Sequence, residues 1–349
     1  MHYYKVALKE IRMKNIVIIG GGPAGLEAAS QLKKFGYNVI LVEKSNQLGG
    51  HLAKWDRLFP DFTPAEEVLS TLISNLQGVT YFLNTEIVRI YNLQNSYNII
   101  MNNGITVLAD AVLICSGFDL FKAEKKEEYG YGIYERVITN ADLEQFFKEN
   151  SKSKIEKDTP VKIGFVHCVG SRDEKVGNRN CSKVCCATAV KQACEIKQMY
   201  PNAEVFCFYM DLRMFGRGYE NLYYSAQKDY GIRFIRGRVS EVSEDIEKRV
   251  IVKAEDTLSG KPIKVTLDAL VLMSGMQNSC SGAKTAKLMN VETADDGYFA
   301  CKDSLYHLQE SESKGVFYAG ACTGPKTIPD TLSEARAAAI QVHNYLKEK

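Results

Sequence analysis

The 349 residues carry no surplus of either charge, since 44 Lys and Arg stand against 42 Asp and Glu, a formal net charge of +2. So balanced a chain has no global electrostatic attraction for nucleic acid, although a local basic patch stays open. No apolar run comes near the ~18 residues of a membrane span. The stretch Met1 to Asn15 has four Lys or Arg but no apolar core ahead of a small-residue cleavage site, so it does not read as a secretory signal. These absences point to a cytoplasmic location. Short solenoid repeats and low-complexity tracts are missing. So is any Cys-x-x-Cys pair, which removes the commonest redox dithiol.

Hydrophobic residues make up 45% and charged residues 25%, the balance of an ordinary globular chain. At roughly 100–200 residues per domain, the length suggests two domains. Ten cysteines are many for a reducing compartment, where structural disulfides are rare and metal or redox chemistry is the first expectation.

Residues 15–50 read as a βαβ unit. Asn15 to Ile19 is a short, β-branched apolar run suited to a buried parallel strand. A glycine loop follows, then Leu26, Ala29 and Leu32 at helical spacing until Gly36, then a second apolar run from Tyr37 to Glu43. This alternation predicts a doubly wound parallel sheet, hence an α/β fold. Asp110 to Gly117 and Asp268 to Gly275 share the pattern Asp-Ala, apolar run, Ser-Gly. That echo predicts two interleaved Rossmann-like dinucleotide-binding domains. The first takes residues 1–150 and 276–349. The second takes 151–275, opening on Pro160 to Val166 after a polar linker from Lys148 to Asp158. Lys314 to Gly320 reads as a late buried strand. Residues 331–347 read as an alanine-rich helix capped by Asp330, which returns the chain to the first domain.

Gly20-x-Gly22-x-x-Gly25 sits after a strand and opens a helix, as a dinucleotide loop must. The first glycine permits the turn, the second lets backbone approach a pyrophosphate, and the third lets helix and strand pack closely. Free N–H groups at the helix start then face the phosphates. Glu43 ends the second strand, placed to accept hydrogen bonds from ribose hydroxyls. The loop fits FAD and NAD equally. Gln47-Leu-Gly-Gly-His51 close behind the second strand, and Gly320-Ala-Cys ahead of the final helix, favour FAD. That helix can aim its positive end at the flavin. Ala321 departs from flavoproteins of this kind, which usually carry Asp there.

Cys168, Cys181, Cys185 and Cys186 fall within 19 residues, where even spacing would place about half a cysteine. Four thiolates are what a 4Fe–4S cubane requires, one per iron. Zinc is an alternative, but the adjacent Cys185 and Cys186 fit poorly with paired zinc knuckles. Buried or reactive thiols are the third reading. Cys115 and Cys207 lie in apolar runs and read as small core residues, while Cys322 lies near the flavin expected there. The second unit has no glycine cradle of its own, because Gly164 to Asp173 has the wrong spacing and places Cys168 in the loop. A metal ligand then stands where a nicotinamide nucleotide would dock.

Phe165-Val-His-Cys-Val-Gly-Ser-Arg-Asp173, Cys181-Ser-Lys-Val-Cys-Cys-Ala187, Tyr209-Met-Asp-Leu-Arg213, Phe234-Ile-Arg-Gly-Arg238 and Gly324-Pro-Lys-Thr-Ile-Pro-Asp330 together resemble the A-type subunits of heterodisulfide reductase. The resemblance spans about residues 14–346. It is to the short, thioredoxin-reductase-like core of that family, similar to the A-type subunits of heterodisulfide-reductase-like complexes in sulfur oxidisers. It implies FAD contacts at Gly22, Pro23, Ala24, Glu43, Lys44, Gly50, His51, Leu52, Val88, Ser116, Gly117, Gly320 and Ala321, and at the helix start from Ile328 to Thr331. It implies one 4Fe–4S cluster on the four grouped cysteines. Lys191 matches a lysine that approaches flavin N5, giving it a catalytic role. His51 would contribute backbone only, and His167 would pack behind the ligands.

The function so implied is electron transfer, by an oxidoreductase working with partner subunits of B and C type in sulfur or disulfide metabolism. A homodimer is expected, and the aromatic, arginine-rich stretch from Tyr209 to Arg238 is either its interface, another partner surface, or core plus solvated charge. The alternatives are a self-contained NAD(P)H-dependent flavin disulfide reductase and a scaffold using its cofactors only to fold.

Overall fold

The computed structural model describes residues 13–150 and 161–349. The stretch Met1 to Arg12 and most of the expected linker therefore lie outside the described residues.

β1 (Asn15–Ile19), α1 (Pro23–Lys34) and β2 (Asn38–Val42) form the expected opening unit. β1 is the middle strand of five, ordered Val316–Tyr318, Ala111–Ile114, β1, β2, Thr80–Phe82, all parallel. The central strands are buried on both faces, as helix-covered parallel strands must be. One face meets α1 and the C-terminal helix Ile328–Glu348, through Leu26, Ala29, Ala335 and Ala338. A second parallel sheet repeats the design with Val137–Thr139, Ala269–Ser274, Lys162–Val169, Glu204–Tyr209 and Arg233–Arg236. Each half also carries a three-stranded antiparallel layer: Ile87–Asn92, Tyr97–Met101 and Thr106–Ala109 in the first, Val239–Glu244, Val250–Asp256 and Lys261–Leu267 in the second. The two Asp-Ala segments lead into Ala111–Ile114 and Ala269–Ser274, corresponding strands of the two sheets, so the sequence echo is a structural repeat.

The first crossing between halves comes earlier than residue 150. Val137–Thr139 pairs with Ala269–Ser274, and helix Asn140–Asn150 follows it directly, so residues 137–150 build the second sheet's half. The chain crosses at Phe118–Leu120 and returns at Met276–Asn278, and these segments pair antiparallel, Asp119 opposite Gln277. The polar stretch that begins at Lys148 thus starts inside the second half rather than between the two.

The final helix starts at Ile328 rather than 331. Its cap is Thr327, whose hydroxyl accepts from the Asp330 N–H, while the Asp330 carboxylate reaches back to the Thr327 N–H. Asp330 is therefore the third residue of a capping box, not the cap.

Candidate functional site

A cavity of about 460 Å³ opens at the carboxyl ends of the first sheet's strands. That is where open α/β sheets place ligands. The glycine loop forms its floor. Gly20 has φ +111°, and a Cβ there would lie 2.3 Å from the Cys115 carbonyl. A Cβ on Gly25 would lie 1.9 Å from the Gly20 carbonyl, so Gly25 allows helix to meet strand and does not itself line the cavity. Gly22 differs, because nothing lies within 4 Å of a Cβ placed there. It caps α1 without any side-chain partner, and the first turn of α1 has no acidic residue. The N–H groups at the start of that helix are thus left for an anion.

Glu43 is buried at the end of β2. Its carboxylate accepts the Gly21 N–H and the Ser45 N–H, both at 2.7 Å, which fixes its orientation beside the loop. Ser116 lines the cavity, and its Oγ is buried with no hydrogen-bond partner among the described residues. An orphaned hydroxyl of this kind calls for a ligand or water partner. Lys44, Lys284 and Lys326 stand around the cavity, and the N-terminus of helix Ile328–Glu348 meets it at Ile328 and Thr331. Open cradle, oriented acid, orphaned hydroxyl and the start of helix Ile328–Glu348 together suit a dinucleotide such as FAD.

Of the other expected contacts, Pro23, Ala24, Gly50, His51, Leu52, Gly117 and Ala321 also line the cavity. His51 turns its ring onto Phe118, with centroids 4.3 Å apart, and Nε2 meets the Phe118 carbonyl at 2.9 Å. Burial lowers its pKa and favours the neutral ring. Gly320 lies behind the wall, where its Cβ would press on Ala24 at 2.7 Å. Val88 faces away and is 39% exposed, while its neighbour Ile87 lines the cavity. Alternation along that strand turns a one-residue offset into a change of face. Sequence reading missed Trp55, Thr85 and Lys284, which come from segments with no motif. Beside Ala321, the Gly320 N–H donates to Glu334, an acid supplied by the following helix.

Cys322 is buried away from the cavity. Its thiol bonds the Ile114 and Ala319 carbonyls, and burial pushes its pKa up to about 12. It is a packed, unreactive thiol. Cys207 and Cys115 are both core as expected, and Cys115 also reaches the cavity wall.

Lys191 does not line the cavity. It is buried on helix Cys185–Met199, with its ammonium paired to Glu144 and to Glu195, the latter at 2.9 Å. Gln192 also donates to Glu144 at 2.8 Å, and the other Glu144 oxygen accepts the Asp56 N–H at 3.0 Å. The group therefore joins the second sheet's helices to a loop of the first half.

The four grouped cysteines gather at the carboxyl edge of the second sheet. Cys168 lies near the end of Lys162–Val169 with φ +59°, Cys181 lies in the following loop, and Cys185 and Cys186 open helix Cys185–Met199. This is the place that the glycine cradle holds in the first half. Cys168, Cys185 and Cys186 are buried and Cys181 is partly exposed. The Cys185 thiol, followed by Arg172 and Arg213, lowers the Cys168 pKa against burial. The Lys183 N–H donates to Cys181 Sγ at 3.3 Å. Among the described residues, no three His, Cys, Asp or Glu side chains converge as ligands of one metal ion. His167 packs beside Cys168, both ring nitrogens buried and unpartnered among the described residues, with burial lowering its pKa to about 4. Lys183 reaches Asp330 of the cavity helix, so the cysteine loop touches the wall of the dinucleotide site.

Two sheets with a cavity suited to a dinucleotide on the first define the class, an α/β fold with a thioredoxin-reductase-like core. A family model described as pyridine nucleotide-disulphide oxidoreductase matches residues 2–145. The solved thioredoxin reductase of Lactococcus lactis shares the fold with a TM-score of 0.66 and 17% identity, over 96% of this chain and 100% of that one. That of T. acidophilum gives 0.65 and 19%, over 96% and 99%. The iron-sulfur A subunit of the CoB–CoM heterodisulfide reductase of Methanocaldococcus jannaschii is 32% identical over 94% of this chain and 64% of its own length. The A subunit of the H(2)/formate:CoB-CoM heterodisulfide,ferredoxin reductase of Methanococcus maripaludis is 38% identical over 68% of this chain and 37% of its own length. Along almost all of its length the chain is similar to heterodisulfide reductase A subunits. It spans a little under two thirds of the M. jannaschii relative. No helix among the described residues is long and apolar enough to cross a membrane.

Proposed function

We propose that the chain is the flavin- and iron–sulfur-containing electron-transfer component of a heterodisulfide-reductase-like complex. The observation that carries this reading is the pairing of an open glycine cradle at Gly22 in one half with four gathered thiols in the equivalent place of the other. When bound, FAD supplies a two-electron centre able to exchange single electrons, and a 4Fe–4S cluster on Cys168, Cys181, Cys185 and Cys186 supplies a one-electron centre. Soft thiolates suit iron–sulfur ligation, and nearby cations suit a ligand set of net negative charge.

The chain's own residues have definable tasks. The α1 N-terminus binds the pyrophosphate and Glu43 orients a ribose. The start of helix Ile328–Glu348 places positive potential at the cavity. Lys191 positions the second half through Glu144, which holds the Asp56 loop. Residues 13–117 and 279–349 form the FAD unit in this reading, and residues 121–150 and 161–275 the cluster unit. The relatives are named as A subunits, which supports partner subunits, and that these are of B and C type and that the chain forms a homodimer are parts of the same proposal.

The test is anaerobic purification with iron, flavin and EPR analysis of one sample. About four irons per FAD and a reducible paramagnetic signal are expected. Flavin without iron, in protein never exposed to oxygen, would refute the cluster assignment.

A further inference from the structure

We propose that Arg172 sets the reduction potential of the cluster assigned to the four grouped cysteines, by holding a permanent positive charge against their sulfurs. This rests on the cluster reading above and adds a residue outside the ligand set.

Arg172 is held by its backbone between two ligand positions. The Ser171 N–H donates to the Cys168 carbonyl at 3.1 Å, the Arg172 N–H to the Asn180 carbonyl at 3.1 Å, and the Asp173 N–H to the Asn178 carbonyl at 2.7 Å. These bonds close a loop running from Cys168 to the residue before Cys181. Arg172 has φ +55°, a left-handed conformation uncommon outside glycine, which the closed loop maintains.

The side chain is fixed at one end only. Nη2 donates to Asp211 Oδ2 at 2.7 Å. Nη1 is buried and has no hydrogen-bond partner among the described residues. A buried cationic donor without an acceptor is costly, more so than a neutral one. Its surroundings show what would accept it, because the guanidinium interacts electrostatically with the Cys168 and Cys181 thiols. An anionic sulfur cluster on those residues supplies the missing partner.

Other cations nearby are less suited. Lys183 turns to Asp330, and Arg213 is exposed, where solvent screens its charge. The Asp211 carboxylate that steers Arg172 is about half exposed, so solvent screens its charge more than that of the buried Nη1. Guanidinium stays protonated throughout the physiological range, so its contribution is independent of pH. Adding an electron to a thiolate-ligated cluster raises its negative charge. Net charge and hydrogen bonds to the sulfurs are established levers on such potentials. Removing Arg172 therefore makes the cluster harder to reduce.

The experiment is an anaerobic redox titration of the full chain, read by the cluster's EPR signal, with flavin absorbance as the check on folding. In Arg172→Gln, at the ambient potential that half-reduces the wild-type cluster, the reduced-to-oxidised ratio is expected to fall about tenfold, a 59 mV shift for one electron. Arg172→Lys keeps the charge without the fork and should recover at least half of that shift. Asp211→Asn removes the negative charge that partly offsets the guanidinium and should give a smaller shift in the opposite direction, toward easier reduction. An intact signal with unchanged potential in Arg172→Gln overturns the assignment. Should that variant lose its iron, a wild-type potential in Asp211→Asn overturns it equally. Wild-type protein lacking a four-iron signal sinks the cluster reading, and this inference with it, while leaving the flavin site standing.

Discussion

Lys183 Nζ lies 2.5 Å from Asp330 Oδ2, joining the loop between Cys181 and Cys185 to the helix that walls the flavin cavity. The same carboxylate completes the capping box of that helix. One acid thus serves both the local geometry of the first half and its contact with the second.

The two roles separate by mutation. Both side chains are partly exposed, so the ion pair itself should contribute about 0.2–1 kcal/mol in a double-mutant cycle. Lys183→Ala should cost no more than that in urea unfolding. Asp330→Ala loses part of the cap as well and should cost about 1 kcal/mol more. Equal costs would deny Asp330 its capping role.

Gly22→Ala and Gly25→Ala make a matched pair. The first adds a methyl where nothing lies within 4 Å, on an extended backbone that alanine accepts. Folded protein with at least tenfold weaker FAD binding is expected, measured by flavin fluorescence. The second drives a methyl into the Gly20 carbonyl at 1.9 Å, so a lowered Tm should accompany loss of flavin.

Cys185→Ala should yield protein with FAD at wild-type stoichiometry and no four-iron signal, because the cavity and the thiol group are lined by different residues. Loss of both cofactors together would mean that the halves do not fold independently of the thiol site.

Glu195 gives a pH prediction. Burial raises its carboxyl pKa to about 7, although Lys191 pulls the other way. An acid raised on folding binds more protons in the native than in the unfolded state between its two pKa values. Its charge penalty is therefore absent below about 4.5, grows as pH rises, and is complete above about 7. The slope is at most about 1.4 kcal/mol per pH unit. Glu195→Gln should flatten the fall in Tm between pH 5 and 8. The same slope in both proteins would show that Glu195 is ionised throughout.

Much of the fold was legible because its signals are local. Apolar runs bounded by Gly20, Gly36 and Gly275 mark strands and turns, and the repeated Asp-Ala segments mark corresponding strands. The first crossing was not legible, since Val137–Thr139 is too short to stand out and is made a strand by pairing with Ala269–Ser274. At the site, the glycine loop and Glu43 were readable from spacing. Ile87 in place of Val88 depends on which way a strand faces. Lys191 is expected at the flavin from the resemblance, and its pairing with Glu144, 47 residues away, has no local signature. The orphaned Ser116 and Arg172 atoms are properties of three-dimensional enclosure, with no signature in the sequence.

The chain's two passages between halves lie side by side as a single ribbon, Phe118–Leu120 against Met276–Asn278. Two bodies tethered by paired strands have a common axis, about which a rotation would tear neither covalent link but would part the Lys183–Asp330 and Glu144–Asp56 contacts. Cysteines introduced at the facing positions 119 and 277 would lock that axis, giving a direct way to ask whether electron exchange needs the halves to turn.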